Sequence, residues 1–208
     1  MTRKIIFSVS KCVLSFFFSF LAAFLLSSVT SSSAFFMTPV AHAEEQMYLF
    51  LGDSRFVGMH AAVGDYSNAI WLCKVGVGES FFFENEDYIN SLDRDNTIII
   101  YALGVNDLDS SSCVQALGEL VAQGFQHVWF STVTPVDEGK ASSYGYTITN
   151  ARIEDFNNTV LFNLPAGVGV IDSFYYLWNS GIQTDDGLHY YPDTYIYWFQ
   201  ILTSQAQT

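Results

Sequence analysis

The sequence predicts an α/β fold in which a parallel sheet carries helices on both faces. Two observations lead to this prediction. Short apolar runs of the kind that form fully buried strands recur along the chain, and stretches of helical composition lie between them. Strands that alternate with helices form right-handed βαβ units, which make the strands of the sheet parallel. The five predicted strands are Met47–Gly52, 69–75, 97–103, 127–133 and Val168–Ile171.

Four segments between and after these strands have the composition of helices, in addition to a helix expected directly after the first strand. They are 79–92, 112–123, 150–164 and Pro192–Gln205. Serines open segment 112–123, and Gly124 follows its end, as is typical of helix caps. Segment 139–149 is rich in Ser, Tyr and Gly, and we predict a surface loop there.

The first 43 residues are typical of a secretory signal peptide. Basic residues open the chain, an apolar stretch covers residues 12–29, and Ala41-His42-Ala43 matches a small-residue cleavage site. Cleavage there would release residues 44–208 as a secreted or cell-surface domain. The segment is longer than most signal peptides, and residues 12–29 approach the length of a membrane span. An uncleaved membrane anchor is therefore the alternative.

The balance of charge limits the class of partner. The chain has 21 acidic and 8 basic residues, and three of the basic ones but none of the acidic ones precede residue 44. The remaining 165 residues fit one domain with a proper core and carry a formal net charge of −16. So acidic a surface argues against nucleic acid and anionic membranes as partners, and it is compatible with a small-molecule or glycan substrate.

The cysteines give no support for a metal site. Cys73 and Cys113 are the two cysteines after residue 43, and neither belongs to a Cys-x-x-Cys motif or a Cys/His cluster. Export would permit a disulfide between them, but two buried thiols are the simpler interpretation. We therefore expect a protein that works without a metal or another cofactor.

Polar and glycine residues follow the ends of the predicted strands. Ser54 follows the first strand, Gly76 and Gly78 follow the second, and Asn106 follows the third. His189 stands in a turn before the last helix. Because ligands bind outside the carboxyl ends of the strands in such a sheet, we expect these four loops to meet at one edge.

These residue types match the requirements of acyl transfer, which needs a nucleophile, a base, a group that orients the base and donors for the oxyanion. Ser54 is the candidate nucleophile, although a serine at a strand-to-helix turn is by default a helix cap. His189 is the candidate base. Asp186 is the candidate orienting carboxylate, with Asp185 as its competitor, and Asn106 can donate its side-chain amide to the oxyanion.

Taken together, these loops resemble the SGNH, or GDSL, hydrolase family, whose four sequence blocks occur here in the same order. The matching segments are Gly52-Asp53-Ser54, Gly78, Gly104-Val105-Asn106-Asp107 and Asp186-Gly187-Leu188-His189. The resemblance extends from residue 48 to about residue 202. Each block alone is weak, whereas the combination is specific.

The resemblance implies a flavodoxin-like, three-layer α/β/α sandwich around a five-stranded parallel sheet. It also implies a triad of Ser54, His189 and Asp186 that acts without metal. The oxyanion hole would consist of the Ser54 and Gly78 backbone N–H groups and the Asn106 side chain. Members of the family cleave esters or thioesters, among them acetylated sugars and lipids.

Two features depart from the family pattern or leave it open. Arg55 stands where many members carry Leu or Ile, and its cation could meet a substrate carboxylate or pair with a local acid. The second block is ambiguous between Gly76 and Gly78, and we prefer Gly78 because the next predicted helix starts just after it. Asp53 and Asp107 are expected to brace their loops rather than to act chemically.

Three functions remain open at this point. The first is a secreted serine esterase for small acyl esters, such as O-acetyl groups on an extracellular or cell-wall glycan. A lipid-directed acylhydrolase or lysophospholipase is the alternative within the enzyme class, and a non-catalytic glycan-binding module is the alternative outside it. The sequence contains Ser54, Asn106, Asp186 and His189 together, which favours an enzyme, because a pure binding module has no need for all four.

The aromatic content of 17% suggests exposed rings near the site, on which sugars could stack. The candidates are Tyr144, Tyr146, Tyr175, Trp178, Tyr190 and Tyr191. By contrast, we expect Trp71, Trp129 and Trp198 to pack in the core.

Overall fold

The structure is a computed structural model that describes residues 46–207, so the predicted signal peptide lies outside the described residues. The strands are β1 (Met47–Gly52), β2 (Ala69–Cys73), β3 (Thr97–Ala102), β4 (His127–Ser131) and β5 (Val168–Ile171). The helices are α1 (Ser54–Val63), α2 (Ser80–Glu84), α3 (Glu86–Asn90), α4 (Ser110–Ala122), α5 (Glu138–Ser143), α6 (Asn150–Phe162), α7 (Ser173–Ser180) and α8 (Pro192–Gln205). Within the described range no helix has both the length and the apolar composition needed to cross a membrane.

All five strands form one parallel sheet in the order β2-β1-β3-β4-β5. In this register Phe50 of β1 lies between Trp71 of β2 and Ile100 of β3. The central strands β1 and β3 are almost fully buried, whereas the edge strands β2 and β5 are only partly buried. The predicted α/β fold with a five-stranded parallel sheet is confirmed.

Alternate side chains of each strand enter two separate cores, one on each face of the sheet. Tyr48 and Phe50 of β1 pack with apolar residues of α1, α7 and α8. Leu49 and Leu51 pack on the opposite face with residues of α2, α3, α4 and α6. The molecule therefore has three layers, with the sheet in the middle.

Most of the helices begin at a side chain that caps their N-terminus. Asp53, Asp109, Asp137, Thr149 and Asp172 each accept a backbone N–H from the first turn of the helix that follows. The helix predicted from residue 112 consequently starts two residues earlier, because Asp109 is its cap rather than a serine.

Several boundaries differ from the prediction for local reasons. Strands β2, β3 and β4 end one or two residues early because the chain turns there into the loops at the sheet edge. The single helix predicted over 79–92 is divided into α2 and α3 at Asn85. The side chain of Asn85 donates to the Phe81 carbonyl at 2.8 Å and closes the first of these helices.

The prediction of a loop over 139–149 is wrong in its first half, where α5 forms. Asp137 caps this helix, and its backbone N–H donates to the Gly187 carbonyl at 2.9 Å. A Cβ at Gly187 would lie 2.1 Å from the Ala141 backbone nitrogen, and the φ of Gly187 is +91°. Packing against a loop that is distant in sequence thus stabilises α5, and local composition could not indicate it. Helix α7 was also not predicted.

Candidate active site

Ser54 is the first residue of α1, directly after the central strand β1. Its side chain is nearly buried, with 7% of the residue exposed. The cap of the helix is Asp53, whose carboxylate accepts the Arg55 backbone N–H at 2.9 Å. The Ser54 hydroxyl is therefore not used as a helix cap, which was the alternative role that the sequence left open.

The structure brings Ser54, His189 and Asp186 into one hydrogen-bonded chain. Ser54 Oγ lies 2.9 Å from His189 Nε2, and His189 Nδ1 lies 2.7 Å from Asp186 Oδ2. The neighbouring Asp185 interacts with His189 through its backbone N–H, which donates to the His189 carbonyl at 2.8 Å. Asp186 rather than Asp185 thus occupies the position next to the imidazole.

The Asp186 carboxylate is held by several donors. Its Oδ1 accepts the backbone N–H groups of Leu188 and His189 at 2.9 and 2.8 Å, and the Tyr146 hydroxyl donates to its Oδ2 at 3.1 Å. Partial burial opposes ionisation, but these backbone bonds and the His189 ring outweigh it and hold the pKa of Asp186 well below its usual range. The carboxylate is therefore ionised at neutral pH. The sequence predicts Tyr146 only as a ring for sugar stacking and does not indicate this contact.

Hydrogen bonds connect the loop of the second sequence block with the loop of the third. Asn106 is exposed, and its Nδ2 donates to the Val77 carbonyl at 2.7 Å, which leaves its second N–H for another acceptor. Asp107 accepts the Glu79 backbone N–H at 2.7 Å, as expected for a bracing residue. A Cβ at Gly78 would lie 2.0 Å from Asp107 Oδ2, whereas Gly76 has open space around it. The close approach of Asp107 explains the glycine at position 78, whereas the φ of +75° explains the glycine at position 76.

Arg55 is buried, with 2% of the residue exposed, so the structure offers no exposed guanidinium to a substrate. Its Nη1 donates to the carbonyl and the hydroxyl of Thr134 at 2.8 and 2.6 Å, and the group lies 5.5 Å from the centre of the Tyr190 ring. This placement argues against a substrate contact. The structural alternative fits better, although the bonds go to Thr134 rather than to an acid.

Tyr190 was expected among the exposed rings and is instead buried in the core, where its hydroxyl donates to the Pro135 carbonyl at 2.5 Å. Burial also changes the pKa of Asp53, the residue before Ser54. Desolvation raises the pKa of Asp53 to about 6, although the positive charge of Arg55 opposes the shift. These buried groups fix the position of the loops around Ser54 and His189.

Glu79 is a buried acid that the sequence analysis did not single out. It follows Gly78, it is 1% exposed, and its Oε2 accepts the Tyr101 hydroxyl in the interior. Among residues 46–207, no N–H or O–H group donates to its Oε1. Burial raises the pKa of Glu79 to about 8, although the bond from Tyr101 opposes the shift. At neutral pH the carboxyl is therefore mainly protonated in the folded protein.

Replacing Glu79 with Gln is expected to flatten the pH dependence of stability. The folded state favours the neutral carboxyl, so this stabilisation is complete below the unfolded pKa of about 4.5 and is lost as the pH rises through about 8. The free energy of unfolding of the wild type should fall between pH 5 and 8.5 by an amount on the order of a few kcal/mol. Urea unfolding of the wild type and of Glu79→Gln at both pH values measures this change in free energy.

The exposed Glu84 provides the matched control, because a Glu84→Gln variant should follow the wild-type dependence on pH. Asp53 titrates in the same direction in all three proteins, so its contribution cancels in the comparison. Equal slopes for the wild type and Glu79→Gln would contradict the assignment of a neutral buried carboxyl.

An open groove of about 420 Å³ adjoins Ser54 and His189. One wall is formed by small and apolar residues of α1, among them Gly58, Ala61 and Ala62. Such a wall is suited to contact with an apolar part of a ligand. Ser54 and His189 therefore lie at the wall of an open groove.

Residues 46–207 contain no group of three or more His, Cys, Asp and Glu side chains suited to a metal ion. Cys73 and Cys113 are unpaired. They pack in different cores, Cys73 on the face of α1 and α8 and Cys113 on the face of α4 and α6. The sheet thus separates the two thiols, which excludes a disulfide between them in this structure.

Comparisons with known proteins find similarity at the level of structure. No protein-family model and no curated protein sequence matches the chain. A Streptococcus pneumoniae protein named as a candidate platelet activating factor superposes with a TM-score of 0.62 and 19% identity, over 80% of this chain and 86% of that one. A lipase/acylhydrolase from Enterococcus faecalis gives 0.58 and 16%, over 77% and 94%. A lipolytic protein of the G-D-S-L family from Veillonella parvula gives 0.60 and 16%, over 77% and 97%.

Identities this low establish a shared fold rather than a shared activity. The similarity covers 86%, 94% and 97% of these solved proteins. Residues 46–207 therefore have the fold of the SGNH, or GDSL, hydrolases.

Proposed function

We propose that the chain is a secreted serine esterase that hydrolyses small acyl esters, with O-acetyl groups on an extracellular or cell-wall glycan as its substrate class. One observation carries the proposal. The Ser54 hydroxyl, the His189 ring and the Asp186 carboxylate form a continuous chain with separations of 2.9 and 2.7 Å, beside an open groove. This arrangement is the one that activates a serine for attack on an ester.

In the proposed mechanism Ser54 Oγ attacks the ester carbonyl carbon while His189 Nε2 takes its proton. Asp186 keeps the imidazole in the tautomer whose Nε2 accepts and stabilises the imidazolium that forms. The carbon–oxygen bond to the alcohol then breaks, and His189 returns the proton to the leaving alcohol. Water, deprotonated by His189, attacks the acyl-serine and releases the carboxylic acid and free Ser54.

The negative charge on the substrate oxygen requires donors. The proposed ones are the backbone N–H groups of Ser54 and Gly78 and the side-chain amide of Asn106. The bonds from Asn106 to Val77 and from Glu79 to Asp107 support this role, because they fix both loops relative to each other before substrate arrives. A fixed donor needs no reorganisation during the reaction.

Replacing Asn106 with Ala is expected to lower kcat by about 10²–10³, the usual effect of removing one oxyanion donor. Folding should change little because the side chain is exposed. Steady-state kinetics on p-nitrophenyl acetate measures the effect, and Asn163→Ala at the exposed end of α6 is the control. If kcat of Asn106→Ala equals that of the control, Asn106 is not an oxyanion donor.

An acylhydrolase for longer chains is the second candidate, and the apolar wall of the groove on α1 favours it. A series of p-nitrophenyl esters from acetyl to palmitoyl separates the two. The proposed function predicts the highest kcat/KM for acetyl or butyryl esters and release of acetate from acetylated xylan. A maximum of kcat/KM at octanoyl or longer esters would support the second candidate. If the folded protein hydrolyses no ester, the non-catalytic binding module is the remaining function.

A further inference from the structure

We propose that a second groove, between α6 and α7, binds the sugar residues of a glycan. This groove has a volume of about 450 Å³ and shares no lining residue with the groove at Ser54. Its floor includes Thr132, just after β4, and its rim includes Asp172, just after β5. The proposal does not rest on the proposed esterase activity.

The wall on α7 exposes a large flat aromatic surface. Trp178 and Tyr175 line the groove and are 57% and 61% exposed. Trp178 stacks on Phe174 with ring centres 5.8 Å apart and an angle of 9° between the planes. The stack fixes the orientation of the indole while leaving more than half of the residue in water. Exposed apolar surface of this kind on one side of a cleft is typical of a binding site.

The opposite wall supplies polar groups. Glu154, Asn158 and Leu161 line the groove and lie on one side of α6 at helical spacing. Both polar side chains are exposed and can accept or donate hydrogen bonds. The floor is rigid because the Asn157 side chain binds both the N–H and the carbonyl of Val133, at 2.8 and 2.9 Å.

A sugar ring can contact both the aromatic wall on α7 and the polar wall on α6. A pyranose has faces of C–H groups, which pack on an aromatic plane, and edges of hydroxyl groups, which bind carboxylates and amides. The charged side chains of the groove are Glu154 and Asp172, and none of the lysines and arginines in residues 46–207 lines it. The chemistry therefore fits neutral sugars or amino sugars and disfavours uronic acids or phosphates.

The groove lies at the same edge of the sheet as Ser54. Neighbouring strands are about 4.8 Å apart, so the loops after β4 and β5 lie roughly 10–15 Å along this edge from the loop after β1. A glycan held at Trp178 would thus need only a few further residues to reach Ser54. The groove would hold a polymer near the candidate nucleophile without contacting the reacting atoms.

The test measures binding rather than turnover, in a Ser54→Ala background. Isothermal titration with cellohexaose, xylohexaose and chitohexaose should show binding of at least one, and hexagalacturonate should not bind because of Glu154 and Asp172. Trp178→Ala should raise the Kd at least about tenfold, whereas Tyr88→Ala, which removes an exposed ring from α3, should leave it unchanged.

Several results would overturn the proposal. These are the absence of binding to all three neutral or amino-sugar hexasaccharides, an equal Kd for Trp178→Ala and Tyr88→Ala, or tighter binding of hexagalacturonate. Size-exclusion chromatography with light scattering measures the oligomeric state and so tests whether a second copy of the chain occupies the groove. A dimer that Trp178→Ala converts to a monomer would show that the groove is covered by a second copy of the chain. The esterase assays are unaffected by these results, so failure here leaves the proposed function intact.

Discussion

Replacing Ser54 with Ala is expected to lower kcat for p-nitrophenyl acetate by a factor on the order of 10⁶, since loss of the nucleophile removes the whole acyl-enzyme route. The fold should be retained. Asp53, not Ser54, caps α1, so the substitution removes no helix cap. Steady-state kinetics and thermal unfolding followed by circular dichroism measure both quantities.

The control is Ser80→Ala, because Ser80 also opens a helix after a strand but is exposed and lies in α2. Its kcat should stay close to that of the wild type. A folded Ser54→Ala protein with wild-type activity would show that another group is the nucleophile.

Replacing Asp186 with Asn is expected to lower kcat by about 10⁴. An amide can present a donor to His189 Nδ1 and thereby stabilise the wrong tautomer, in which Nε2 can no longer accept the Ser54 proton. The two backbone bonds to Oδ1 can persist with an asparagine oxygen, so the turn should keep its shape. Kinetics at the pH optimum of the wild type measures the loss.

Asp185→Asn is the matched comparison, because the two carboxylates are adjacent. Asp185 contacts His189 through its backbone, and its side chain lines the groove. Its replacement should change kcat by less than about tenfold, an effect of about 1.4 kcal/mol. If Asp185→Asn is the inactive variant, the orienting carboxylate is assigned to the wrong residue.

The parallel sheet could be predicted from the sequence because strands buried on both faces are almost continuous apolar runs. Runs such as 97–103 end in polar loops, and the ends of those runs located the site. Helix α5 could not be predicted in this way. Its stability depends on contact with Gly187, about 45 residues away, and local composition carries no information on such a contact.

The sequence likewise indicates those residues of the site that stand in a local pattern, and not those whose contacts are distant in sequence. Ser54, Asp186 and His189 were recognised because each stands at a fixed spacing in a short block. Tyr146 was predicted only as an exposed ring near the site, and Glu79 was not singled out, because each binds a partner that is distant in sequence. A buried glutamate after a glycine has no local signature, and its burial next to Tyr101 depends on how the chain folds.

The most direct test of the central claim is covalent labelling of the purified protein with a fluorophosphonate, followed by peptide mapping by mass spectrometry. We expect a single adduct on Ser54, which requires an activated hydroxyl, and no adduct in a folded His189→Ala variant. Labelling of a different residue, or no labelling of wild-type protein shown to be folded, would contradict the assignment of Ser54 as the nucleophile.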